Sequence, residues 1–234
     1  MVIGVCLALV ARAPVGLAEE GSYPLSDWDP FFFKFLSHDP VKLSGNWRTR
    51  YAVPPPPVRK KVIEGELAAL KALIPLRAER QSEIEAHKEE LVAPFLEALG
   101  CTAEQAPDIV KMIDDIQVDA LIVVVHFKMK FSRVRPWHLD PDIKPSIGPP
   151  GHAAYPSGHA AQVHSTSHLL GEIVPKKAQA VEKVAARISF NREVAGVHYR
   201  SDTIAGRILG MQIAEDYLRF VDRKSTLEQI EGCS

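Results

Sequence analysis

The chain of 234 residues has three cysteines, almost no net charge and no long apolar run, and each shortage removes a class of function. A formal net charge of −1 gives no global field to attract nucleic acid or an anionic membrane. The longest apolar stretches, Val2–Ala11 and Ala120–Phe127, are well short of the ~20 residues that a helix needs to cross a bilayer. No transmembrane span is therefore expected. Internal repeats are also absent. His164 and His168 stand four apart on one helix, but the glutamate of a zinc-binding H-E-x-x-H is missing and no third ligand is indicated. No metal is expected there.

What remains is the composition of an ordinary globular chain, with 46% hydrophobic and 24% charged residues, enough to bury a core in one domain. Residues 1–18 read as a secretory leader: Val2–Ala11 is apolar, Pro14 breaks it, and Gly16-Leu17-Ala18 offers small residues for cleavage, although no basic residue precedes the apolar run. Removing such a leader takes Cys6 with it. Cys101 and Cys233 then either pair in an oxidising compartment or stay as two thiols, one near a helix end and one in a polar tail.

Residues 19–57 read as an irregular arm ending in the run Pro54–Pro57, with one short helix after Asp29-Pro30 that carries Phe31, Phe32, Phe33 and Phe35 to the core. From 58 onward the period is helical. Val62, Leu67, Leu70, Leu73 and Leu76 recur among charges up to about Leu99, with breaks at Pro75 and Pro94. Thr102 and Gln105 have capping-box spacing, and Pro107 offers a competing helix start. The next helix carries Ile109, Ile113, Ile116 and Ala120, delivers Lys128 and is expected to end at Arg135, because a residue before proline avoids the α conformation. The proline-rich stretch Trp137–Tyr155 is expected to be a loop roofing a site. Three helices then follow, over about 157–172, from Pro175 to about 195, and over about 202–221, before a polar tail. The class is all-α.

Three short motifs within Lys128–Asp202 hold most of the reactive groups. Lys128 and Arg135, seven apart, would share a helix face. Pro156-Ser157-Gly158-His159 looks like a helix entry, where glycine admits a ligand close to backbone and free N–H groups favour an anion. Arg192 can grip two oxygens with its fork. His198 and Asp202, four apart, would meet on a helical turn, where the carboxylate fixes the imidazole tautomer and leaves Nε2 bare as a nucleophile. Lys130 and Arg133 have no such support and read as surface charges; His138 and His152 have no role that the sequence specifies.

Taken together, K-x6-RP, PSGH and R-x5-H-x3-D resemble the signature of the type 2 phosphatidic acid phosphatase superfamily. Within it the chain is most similar to the bacterial class A non-specific acid phosphatases, whose Tyr-Pro-Ser-Gly-His stands here as Tyr155–His159. The likeness extends from about Ala52 to the end, although only the three motifs are specific. Asn191 stands where the family usually has serine, and the cysteine-free loop Trp137–Ala154 departs from its pattern.

The resemblance implies a single-domain helical bundle of the acid phosphatase/vanadium haloperoxidase type over residues 58–234. It also implies a periplasmic or secreted phosphomonoester hydrolase that uses no metal or other cofactor, and a homodimer fits it. Lys128, Arg135, Ser157, Gly158 and Arg192 would bind phosphate. His198 would form a phosphohistidine, oriented by Asp202, while His159 serves as general acid and then base. Turnover would be best on the acidic side of neutrality. The partners would be small phosphate esters, with no nucleic acid. The rival reading is a vanadium haloperoxidase that holds vanadate in the same cage.

Overall fold

The computed structural model describes residues 22–43 and 45–233; the leader expected over 1–18 lies outside them. Among the described residues there are helices and no strands, as expected for an all-α chain. In chain order they are α1 (Pro30–Leu36), α2 (Trp47–Arg50), α3 (Lys60–Leu73), α4 (Arg77–Ala86), α5 (Ala93–Leu99), α6 (Pro107–Phe131), α7 (Pro136–Leu139), α8 (Gly158–Ile173), α9 (Ala178–Val194), α10 (Arg200–Tyr217) and α11 (Arg223–Glu231). None is long and apolar enough to cross a membrane.

α8 is the central helix and packs on α6, α9 and α10. Its approach to α10 is closest because α10 presents glycines one turn apart. A Cβ on Gly206 would lie 2.5 Å from the Ser157 carbonyl oxygen, and one on Gly210 would lie 2.5 Å from that of Ala161. Only hydrogen fits at either point. This contact brings the first turn of α10 against the start of α8, where the Ser157 N–H donates to the Asp202 carbonyl at 3.0 Å. Two of the sequence motifs thereby meet.

α6 contributes Ile109, Ile113, Ile116, Ala120, Ile122 to Val124 and Phe127 to the core. The β-branched run Leu121–Val125 is helical throughout, since burial on a three-helix face overrides its strand propensity. Thr102 and Gln105 do exchange capping hydrogen bonds, at 2.9 and 3.3 Å, but they close a turn, and the helix itself starts at Pro107.

Three expectations are corrected. The helix carrying Lys128 stops at Phe131 and not at Arg135: Ser132 takes a left-handed φ of 47° and turns the chain into an extended segment. Arg135 is therefore not on the Lys128 helix, and the two residues do not share a helix face. The stretch after Pro136 begins with one helical turn, α7, before becoming irregular. The polar tail is the ordered helix α11, capped by Asp222, with Ile230 buried and Cys233 bonded to Cys101.

The arm is anchored by polar contacts. The buried carboxylate of Asp119 accepts from the Val41 and Lys42 amides at 2.8 and 3.0 Å, and the Tyr51 hydroxyl donates to Asp216 at 2.6 Å. The arm's short helix is tied to the proline-rich loop. Asp29 caps α1 and donates its own N–H to the Gly151 carbonyl at 2.8 Å, and the Phe32 ring stands edge-on to His152.

Candidate active site

A cavity of about 770 Å³ opens where α6, α8, α9 and the turn before α10 converge under the proline-rich loop. Lys128, Gly158, His159, Arg192 and His198 line it, and Ile147 to Pro150 with His152 form its roof. Members of all three motifs meet here, while Arg135, Ser157 and Asp202 stand behind the lining residues.

Lys128 is 1% exposed, and its ammonium donates to the Ala153 and Ala154 carbonyls at 2.8 and 2.9 Å. An ammonium has three N–H groups, so one remains. Arg192 is 3% exposed, and its Nε and Nη1 are buried without a hydrogen-bond acceptor. A buried guanidinium with idle donors is costly unless an anion takes them. Burial, then the nearby Arg135, pulls the Arg192 pKa down to about 9. Burial likewise takes Arg135 down to about 10 and Lys128 well below its ordinary value, the latter with help from Arg135.

His198 sits just before α10, not on its helical face. Asp202 is the third residue of α10, and its Oδ2 accepts from the Tyr199 N–H at 3.0 Å while lying 3.1 Å from His198 Nδ1. The carboxylate therefore caps the helix and orients the imidazole together. Arg135 Nη1 lies 3.1 Å from His198 Nε2 and donates to the Val197 carbonyl at 2.6 Å. A guanidinium only donates, so Nε2 must be the acceptor and Nδ1 the protonated nitrogen. Burial, then Arg135, Lys128 and Arg192, holds His198 well below the usual imidazole pKa.

His159 Nε2 lies 3.1 Å from the Lys88 carbonyl, which can only accept, so this nitrogen carries the proton. Burial and Arg192 push its pKa well below the ordinary value. Ser157 caps α8 by accepting from the Ala160 N–H at 3.4 Å; the cavity wall at this turn is made by Gly158 and His159.

Arg133 is not a surface charge. It is 7% exposed, with Nη1 donating to Asp202 Oδ1 at 2.6 Å, Nη2 donating to Glu66 Oε2 at 2.8 Å, and its guanidinium 3.7 Å from the centre of the Tyr199 ring. In the extended segment after Ser132, residues two apart face the same way, so Arg133 reaches Asp202 while Arg135 reaches His198. The alternation R-x-R before proline was the available signal. His152, also without an assigned role in the sequence, has its Nδ1 2.9 Å from Arg135 Nη2 and 3.1 Å from the Ala153 carbonyl. Lys130 is exposed, as expected. His164 and His168 pair separately, with Glu182 and Glu215, and among the described residues no group of three or more His, Cys, Asp or Glu could hold a metal ion.

Cations predominate around the cavity floor: Lys128, Arg133, Arg135 and Arg192 are set against Asp202 and Glu66, with Glu85 also acting on Arg192. Residues 118–225, which contain every residue of this set except Glu66, match the PAP2 superfamily. This segment is a PAP2 superfamily domain. A non-specific acid phosphatase from Providencia stuartii is 30% identical to the chain over 127 residues, covering 49% of each protein. A decaprenylphosphoryl-5-phosphoribose phosphatase from Mycolicibacterium smegmatis is 33% identical over 82 residues, covering 35% of this chain and 43% of that protein. The chain thus spans about half or less of the length of these curated relatives.

The fold of a bacterial vanadium-dependent iodoperoxidase is similar, with a TM-score of 0.54 at 17% identity, covering 74% of this chain and 53% of that one. So is that of a transmembrane PAP2-type phosphatidylglycerolphosphate phosphatase from Bacillus subtilis, with a TM-score of 0.52 at 18% identity, covering 71% and 88%. At those identities the likeness concerns the fold alone.

Proposed function

We propose that the chain is a phosphomonoester hydrolase of the acid phosphatase kind, working through a phosphohistidine on His198. The observation that carries this is the buried Arg192 fork with Nε and Nη1 idle, beside Lys128 and opposite an imidazole whose Nδ1 is held by Asp202. The predominance of cations suits a phosphoryl dianion. Its oxygens would take the Arg192 donors and the third Lys128 N–H, with the N-terminal turn of α8 at Gly158 supporting them.

Arg135 yields Nε2 as it turns to the same oxygens. His198 Nε2 then attacks phosphorus, the ester P–O bond breaks, and the departing oxygen takes a proton from His159. In the second half, water gives a proton back to His159 and attacks phosphorus. The P–N bond breaks, and His198 returns to its neutral form. No step requires a metal. The Cys101–Cys233 disulfide supports an oxidising compartment, periplasmic or secreted, as the setting. Turnover of a panel of phosphate esters by the purified chain tests the reading; hydrolysis of none, with bromination of a dye on adding vanadate, peroxide and bromide, would replace it with the haloperoxidase.

The sign of the pH dependence follows from the two imidazoles. The reaction needs His159 protonated, hence a pH below its pKa, and His198 neutral, hence a pH above its own. Both lie well below the ordinary 6.5. kcat/KM, which reports the free enzyme, is therefore expected to peak below pH 6.5 and to fall as pH rises. A peak above pH 7.5 would remove His159 as the acid.

Arg133 and Glu66 act on the reaction only through Asp202. Replacing Arg133 with Met is expected to lower kcat about tenfold to hundredfold, by the value of a hydrogen bond to a charged group, while KM changes little. Glu66→Gln is expected to move kcat the same way by less, and Arg133→Lys to restore part of it. Equal losses in kcat and thermal stability, with the pH profile unmoved, would mean a purely structural pair.

A further inference from the structure

The phosphate cradle takes up only the floor of the cavity. Its volume, about 770 Å³, is that of a pocket for a whole drug-sized ligand, so most of it is left for the alcohol half of an ester. Much of the wall above the cradle is carbon, from Phe31 and Phe32 of α1, Leu121 and Val125 of α6, and Pro149 and Pro150 of the roof, with Lys88, Glu89, Gln117 and Gln162 as its polar side chains. α1 is a fixed part of this wall. It is fastened to the loop through Asp29 and Gly151, and a Cβ on Gly151 would lie 2.8 Å from the Asp29 Cβ, so helix and loop are in direct contact. Phe32 is packed edge-on at 4.5 Å against His152, whose Nδ1 lies 2.9 Å from Arg135 Nη2. Phe31 remains 50% exposed, and its ring and that of Phe32 meet edge to face, 5.4 Å apart. The Lys34 ammonium lies 3.6 Å over one face of the Phe31 ring and Phe35 meets it edge-on at 5.3 Å, which leaves the rest of this large aromatic open at the mouth of the cavity.

We infer that Phe31 and Phe32 form a leaving-group subsite, and that the substrates are phosphomonoesters of apolar alcohols, with the carbon chain lying between α1 and the Leu121/Val125 face of α6. This rests on the phosphatase reading for the position of the phosphoryl group. The apolar wall starts close to the cradle, so the ester carbons nearest phosphorus are the ones that gain from it. A sugar phosphate would bring hydroxyls against Leu121, Val125 and the rings, away from Lys88, Glu89, Gln117 and Gln162, the polar side chains of the wall that could pair with them.

The test uses non-hydrolysable probes, so that binding is read apart from turnover. Affinities of methyl-, butyl- and octylphosphonate are measured calorimetrically on the full chain, with glucose 6-phosphate and hexyl phosphate compared as substrates. Each added methylene is expected to tighten binding about threefold to fourfold over the first few carbons. Hexyl phosphate should exceed glucose 6-phosphate in kcat/KM by at least about tenfold. In Phe31→Ala the ratio of octyl- to methylphosphonate affinity should drop about fivefold to tenfold. That half-exposed position tolerates truncation, and a melting curve checks the fold; Phe32→Leu gives a milder second variant with the same direction.

Binding of methylphosphonate with no gain from longer chains, or an unchanged ratio in folded Phe31→Ala, would overturn the subsite and leave the phosphatase reading intact. Failure of every phosphonate to bind, together with no ester hydrolysis, would overturn the cradle itself and the subsite with it.

Discussion

His198→Ala is expected to lose turnover of a chromogenic phosphate ester by at least about four orders of magnitude, because the reaction loses the atom that attacks phosphorus. Charge neutralisation alone does not replace a nucleophile. The variant keeps Lys128, Arg135 and Arg192, and removing the ring frees the Arg135 Nη1 donor that now lies 3.1 Å from Nε2. It should therefore still bind inorganic phosphate, visible as a rise in melting temperature with phosphate concentration. In the unaltered chain, a rapid quench into alkali during turnover should trap one labelled phosphoryl group per site, stable in base and lost in acid, as a P–N bond behaves. The variant should trap none. Retained activity in His198→Ala, or a label that survives acid, would remove His198 from the role. Asp202→Asn should fall between, because the amide can still cap Tyr199 N but no longer offers a charge to Nδ1.

The other large effect concerns stability. Replacing both Cys101 and Cys233 with Ser is expected to lower the melting temperature by about 10 °C. The bond closes a loop with a sequence separation of 132, which in the chain-entropy picture restricts the unfolded state by about 5 kcal/mol, at the upper end of measured effects. For a chain of this size each kcal/mol shifts the midpoint by about 2–4 °C. The bond fixes α11 to the end of α5, next to the core where Ile230 is buried. Melting the oxidised chain with and without reductant measures the same quantity with no mutation. Coincident curves would show that α11 holds by packing alone. Because the disulfide lies away from the cavity, the phosphate-induced rise in melting temperature should persist in the double variant.

The parts of the site that the sequence revealed are those where one residue's chemistry suffices. Ser157 at a helix start, Asp202 at a capping position and the apolar period of α6 each follow from local rules. The juxtaposition of the start of α8 with that of α10 depends on Gly206 and Gly210, which are ordinary glycines until the facing carbonyls are known. Lys128 and Arg135 fit two turns of one helix by spacing, yet Ser132 breaks that helix with a left-handed φ that no rule for serine anticipates. Arg133 looked unremarkable because its partner Glu66 lies 67 residues away. Reading α11 as a tail has the same origin: its stability comes from Ile230 and a distant cysteine more than from its own polar sequence.

The excess of cations at the cavity floor also bears on how a catalytic cycle finishes. The species left after hydrolysis is itself an oxyanion and satisfies the same Arg192 and Lys128 donors as the ester it came from. Clearing the pocket then means leaving the Arg192 and Lys128 donors without that anion in a low-dielectric interior. In the proposed reaction, departure of the spent ion and not bond cleavage would then be the natural bottleneck, and accumulating free phosphate would throttle turnover.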